Sequence, residues 1–156
     1  KWLGLSAVIS CVTLIFSLIF FLLLLLQGIT FQLVFFEAIV FGLFEQFILI
    51  SFAIFFSTFT SSPLVSIFCT IALFIAGHIT EDLIVYAINH GSEEFQRFAT
   101  IIYYIVPNLD YFNLKTQAIY NISLGIEQMS LTFLYGSSLI AFVLFLSSMI
   151  FKKKEF

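Results

Sequence analysis

Between Leu3 and Leu26 the chain carries no charged side chain. A helix rises 1.5 Å per residue, so a run of about 24 residues reaches roughly 36 Å, enough to cross the ~30 Å hydrocarbon core of a bilayer. Inside that core every backbone N–H and C=O must find its partner within the protein, so a single crossing segment has to be helical. Three more apolar runs follow, and the spans are expected at about 3–26, 31–57, 63–79 and 128–151. Hydrophobic residues make up 62% of the 156 residues and charged ones 10%. A water-soluble domain is about half apolar and a quarter charged, so a core of this size has no room for the excess, and lipid must be the solvent. The expected fold is an all-α polytopic bundle of four spans, forming one transmembrane domain over 1–156.

Composition also closes several function classes. The net charge is −3 with six basic residues, too few to track a phosphate backbone, so no nucleic-acid partner is expected. Cys11 and Cys69 sit inside apolar runs without Cys-x-x-Cys or Cys/His spacing, and both read as small buried hydrophobes. Phe outnumbers the other aromatics, at 23 against six Tyr and one Trp, which suits lipid-facing positions. No glycine loop precedes Lys115-Thr116, so no nucleotide-binding loop is present. No Ser/His/Asp or Cys/His set can be argued either, so the chain is not expected to be an enzyme, and no cofactor or metal is assigned to it. The chain begins at Lys1 without a signal-peptide pattern, and is expected to be part of a longer polypeptide lacking its N-terminal portion.

Each span has a small or polar face. Ser6, Ser10, Thr13 and Ser17 form one stripe on the first, suited to close helix approach. On the second, Ala38, Gly42, Glu45, Gln46, Leu49, Ala53 and Ser57 share a narrow arc, with Glu37 about 80° off it. The segment 57–63 is a turn, with Ser62 as N-cap and Pro63 at the first helical position. Ser66, Thr70, Gly77 and Glu81 line one face of the third span, and Ser130, Ser137, Ala141 and Ser148 one face of the fourth, which should pack on a partner. Gln27-Gly28-Ile29-Thr30 forms a short turn between the first two spans.

Residues 83–127 are mixed in character and contain no full span. The third helix should continue through Leu83–Ile88 until Asn89-His90-Gly91. Ser92 with Glu93 and Glu94 then starts an amphipathic helix whose apolar face is Phe95, Phe98, Ala99 and Ile102. Tyr103 and Tyr104 suit an interfacial belt, and Val106 to Asn113 is turn-rich. The short helices of 83–127 are placed outside the membrane, before the last span.

Glu45 is the strongest single candidate site. An ionised carboxylate at mid-bilayer costs several kcal/mol, so it must be protonated, paired or in a wet cavity. Two readings stay open: a lining or pivot residue in a transport path, with Gln46, Glu37, Ser57, Ser66 and Thr70 beside it, or a packing hydrogen bond between helices. His78, Glu81 and Asp82 fall at i, i+3 and i+4. That is metal-ligand spacing on one helix, but a solvated outer-end cluster is the simpler reading. Lys1 and Lys152 to Lys154 flank the first and last spans, and lysine-rich flanks are cytoplasmic. Both ends are therefore expected on the cytoplasmic side of a plasma membrane.

The run Phe56-Ser57-Thr58-Phe59-Thr60-Ser61-Ser62-Pro63, then Gly77-His78-Ile79-Thr80-Glu81-Asp82-Leu83, then Tyr104 to Leu114 with Pro107-Asn108-Leu109-Asp110-Tyr111-Phe112 at its centre, is similar to a known family. It resembles the permease subunits of type-2 ATP-binding-cassette (ABC) exporters, within them the permeases labelled as multicopper-enzyme-maturation components. The resemblance covers the whole chain at the level of topology and implies the last four of six spans. It implies a second permease protomer, a separate ABC ATP-binding subunit carrying ATP and Mg, and external helices acting as a gate, with His78, Glu81, Asp82, Pro107 and Asp110 as gate candidates. The alternatives are an ion- or proton-coupled carrier using Glu37 and Glu45, against which no inverted repeat is visible, and a non-transporting membrane anchor.

Overall fold

The computed structural model describes residues 1–28, 32–60 and 62–154, and the side chains to Lys152. The expected turn residues Ile29 and Thr30, the expected first residue of the second span, Phe31, and Ser61, Glu155 and Phe156 lie outside the described residues. The fold is all-α: α1 (Trp2–Leu26), α2 (Leu33–Phe59), α3 (Pro63–His90), α4 (Glu93–Ile105), a 3-10 turn (Asp110–Phe112), α5 (Lys115–Tyr120) and α6 (Ile126–Lys154). Four of these helices are long and apolar enough to cross a membrane, so the chain is a multi-pass membrane protein.

Local chemistry sets the helix ends. Pro63 opens α3, where its missing N–H costs nothing, although the Ser62 side chain makes no capping bond. Ser92 caps α4 through its hydroxyl, which accepts from the Phe95 N–H, and Glu93 and Glu94 sit at the positive end of the helix dipole. Asn121 ends α5 in the left-handed conformation, at φ 54°. At 28 residues α3 is about 42 Å long, so it extends well beyond a single crossing. Its distal end carries α4, and Ala87 and Ala99, one on each of these packed helices, are fully buried.

α2 is the central helix, packed against α1, α3 and α6. Trp2 donates from Nε1 to Ser51 Oγ at 2.9 Å, while Phe20 meets Phe35 at the other end, so α1 runs antiparallel to α2. Ser66 donates to the Ala53 carbonyl at 3.0 Å, and Glu45 meets His78, so α3 is antiparallel too. Phe41 and Phe44 both pack on Phe133, and Phe44 lies against Gly136, so α6 runs parallel to α2. Lys1 and Lys152 therefore lie at one end of the bundle, and α4 and α5 at the other.

Phenylalanine takes two environments: Phe16, Phe36, Phe68, Phe142 and Phe145 among others are exposed, as lipid-facing residues would be, while Phe41 and Phe112 are 1% exposed and with Phe44, Phe47 and Phe133 form the core between α2 and α6. The buried face of α6 runs through Gly136, Ile140, Val143 and Ser147, whereas Ser130, Ser137, Ala141 and Ser148 are exposed on this chain. Large aromatic rings win that contact because each buries more apolar area than a serine face offers. Cys11 is exposed on the single chain rather than buried, and Cys69 is partly covered. The serines of the α1 stripe bond to carbonyls of their own helix, while Thr13 reaches across to Gln46 Oε1 at 3.5 Å.

Candidate functional site

Glu45 and His78 stand near the middles of α2 and α3 and face each other. Glu45 Oε1 is 3.5 Å from His78 Nε2, with 14% and 20% of the two side chains exposed. The other ring nitrogen, Nδ1, is 3.1 Å from the Phe74 carbonyl. A carbonyl only accepts, so Nδ1 carries a hydrogen and donates it. That leaves Nε2 facing the Glu45 carboxyl group. One proton held between a carboxyl and an imidazole, on either partner, gives a pair with no net charge. The pairing answers how a carboxyl group is held inside a span, since an unpaired buried charge costs several kcal/mol. The Phe74 ring flanks His78 at 4.6 Å.

Beside this pair sits the loop Pro107-Asn108-Leu109-Asp110-Tyr111-Phe112. The Leu109 N–H donates to the Gly77 carbonyl at 3.1 Å, and the Leu109 side chain is fully buried against Gly77. Only a glycine allows this approach: a Cβ on residue 77 would lie 2.7 Å from Leu109 Cγ and 2.9 Å from the Pro107 carbonyl oxygen. The Asn108 N–H donates to the Tyr135 hydroxyl at 3.1 Å, and its side-chain amide reaches Glu81 Oε2 at 3.4 Å. Asn108 Oδ1 accepts from the Asp110 N–H, and Asp110 Oδ1 from Asn113, which fixes the turn. Phe112 stacks on Tyr135 and packs on Phe41 and Phe44. The loop is thus bolted to α3 and α6 at once, and its anchor on α3 is the residue next to His78.

The structure brings together Glu45, His78, Glu81, Pro107 and Asp110 around this seat, and leaves the other candidates apart. His78 turns to Glu45 while Glu81 takes the Asn108 amide and Asp82 is exposed, so the three do not converge on a metal. Gln46 points to α1. Ser66 is buried and joins α3 to α2, Thr70 bonds back to the Ser66 carbonyl, and Ser57 is exposed, bonded to Ile54. Of these three, Ser66 bonds across helices, while Thr70 and Ser57 bond within their own. Glu37 is partly buried, and its Oε2 has no hydrogen-bond partner among the described residues.

Sequence reasoning passed over Tyr135, which sits in an apolar run with nothing to mark it. It also missed that Tyr111 is tied to Tyr103. That hydrogen bond, with burial and the neighbouring Tyr103 and Glu81 charges, pushes the Tyr111 hydroxyl up to about 12, so it stays a neutral phenol across the physiological range. Compared with protein-family models, curated proteins and solved structures, the chain matches none.

Proposed function

We propose that this chain is the permease subunit of an ATP-driven exporter of the type-2 ABC class, working as a dimer with a separate ATP-binding subunit. The observation that carries the reading is the seat of the loop 107–112. This is the most specific stretch of the resemblance, and it folds as a docked plug between α3 and α6 just before the last span. A gate needs a segment held by a few definite contacts that can be released together. The Gly77 carbonyl, the Glu81 carboxylate and the Tyr135 hydroxyl are such contacts. ATP binding on the partner would shift the balance between arrangements in which the plug is seated and released. In this reading the membrane is the bacterial plasma membrane, and the lysine-bearing end of the bundle faces the cytoplasm.

The Glu45–His78 pair supports a second reading, a proton-coupled carrier, because a carboxyl beside an imidazole inside a span is the material of a proton relay. The two readings separate by experiment. Affinity-tagged chain, solubilised mildly from its native membrane, is expected to recover a soluble Walker-type ATPase, and vesicles holding both are expected to transport only with ATP. Transport driven by a proton gradient without ATP would establish the carrier instead. Stable assembly with neither ATPase nor transport would leave a membrane anchor.

A further inference from the structure

We infer that the chain binds a cationic amphiphile: an ammonium head in a polar chamber at the non-lysine end of the bundle, and an aliphatic tail in the adjoining groove between α3 and α6. Resting on the permease reading, this names the class of molecule carried. The chamber, of about 550 Å³, lies between the loop, α3 and the start of α6. It is lined by Glu81, Asp110, Gln117, Gln128 and Thr132, with no lysine, arginine or histidine among its walls. Each carboxylate spends one oxygen on the loop, Glu81 Oε2 on Asn108 and Asp110 Oδ1 on Asn113, and no bond to the other oxygen is present among the described residues. The nearest lysine in sequence, Lys115, lines a separate cavity with Phe20 and Phe35.

The groove, of about 610 Å³, is apolar along most of its length, through Phe52, Phe55, Leu73, Phe142 and Leu146. From Tyr135 to Leu146 it follows α6 for about 16 Å. Both spaces fall within the range of small-molecule sites, about 300–1,000 Å³. They meet at Tyr111 and Tyr135, which line both and stand edge to face with ring centres 6.2 Å apart. Tyrosine faces attract ammonium groups, and two carboxylates attract the same charge while repelling phosphate or sulfate heads. Polar and acidic above, aromatic at the joint and aliphatic below is the complement of one molecule. An anionic lipid fits the lower half alone, and a free amine the upper half alone.

The test is equilibrium binding of tritiated dodecyltrimethylammonium to the full chain in nanodiscs of neutral phosphatidylcholine, counted against empty nanodiscs. Saturable binding above the empty discs is expected, with tetramethylammonium and dodecyl sulfate each competing at least about tenfold more weakly. Glu81→Gln with Asp110→Asn keeps an acceptor oxygen for Asn108 and Asn113, and is expected to weaken binding about tenfold, or ~1.4 kcal/mol. Leu73→Trp fills the groove and is expected to weaken the long-chain probe while leaving tetramethylammonium competition unchanged. Counts equal to those of empty discs would overturn the inference. So would equal competition by dodecyl sulfate, or unchanged affinity in the doubly neutral variant, whose helical content is checked by circular dichroism. No ATPase is present in this measurement, so binding can fail while ATP-driven transport stands, and can stand where ATP-driven transport fails.

Discussion

Gly77→Leu will unseat the 107–112 loop and destabilise the protein by about 3 kcal/mol or more, since overpacking a filled contact costs ~1–3 kcal/mol and the loop bonds are lost with it. Residue 77 faces Leu109 and the Pro107 carbonyl at distances that leave no room for a Cβ. A rigid backbone oxygen on one side and a fully buried leucine on the other offer no cheap way out. Once Leu109 is expelled, its N–H loses the Gly77 carbonyl, and the Asn108 bonds to Tyr135 and Glu81 lose their geometry. In hydrogen exchange, the amides of Asn108 and Leu109 are expected to lose protection first, with α1 and α2 little changed. A thermal midpoint equal to wild type with both amides still protected would show that the loop is not seated on Gly77.

The second large effect concerns the Glu45–His78 pair. Glu45→Ala leaves His78 facing an apolar gap, and His78→Ala leaves Glu45 as an unpaired carboxyl within a span. Each single change is expected to cost about 2–3 kcal/mol, whereas the double change to apolar residues should cost less than the two together, giving a coupling of ~1–3 kcal/mol. The cycle is read by reversible unfolding in mixed micelles. Glu45→Gln separates stability from transport: it keeps size and a hydrogen-bonding head, and it cannot release a proton. In the exporter reading it alters transport by disturbing the residue next to the loop seat; in the carrier reading it abolishes proton-driven uptake. Strict additivity of the two alanine changes would mean that the 3.5 Å approach contributes nothing.

The legibility of this chain in its sequence follows from what lipid demands. Hydrocarbon tolerates no unpaired backbone, so uncharged runs declare helices directly, and α1 to α3 and α6 begin and end within a few residues of where apolar character and Pro63, Asn89 and Gly91 place them. Which face of a helix packs was less legible, because lipid and protein interior are equally apolar. The serine stripe on α6 and its Gly136, Ile140 and Val143 face look alike to such a solvent, and the structure buries the second against the aromatic rings of α2. The site was half legible. Glu45 stood out because a charge in a span must be answered, but its partner lay 33 positions away, on a helix end that reads as solvated. The bolts on the loop, Gly77 and Tyr135, were invisible as such, since an apolar helix uses glycine and tyrosine for many purposes. Only the docking of Leu109 gives them meaning.

The central claim is a four-span chain with its lysine ends on one face of the membrane and the 83–127 segment on the other. The direct measurement replaces Cys11 and Cys69 by alanine, places single cysteines at Ser57, Thr116 or Lys152, and labels intact cells with a membrane-impermeant thiol reagent. Labelling at 116 in intact cells, and at 57 and 152 only after the membrane is opened, is the expected result. Labelling of all three positions from the same side would contradict it.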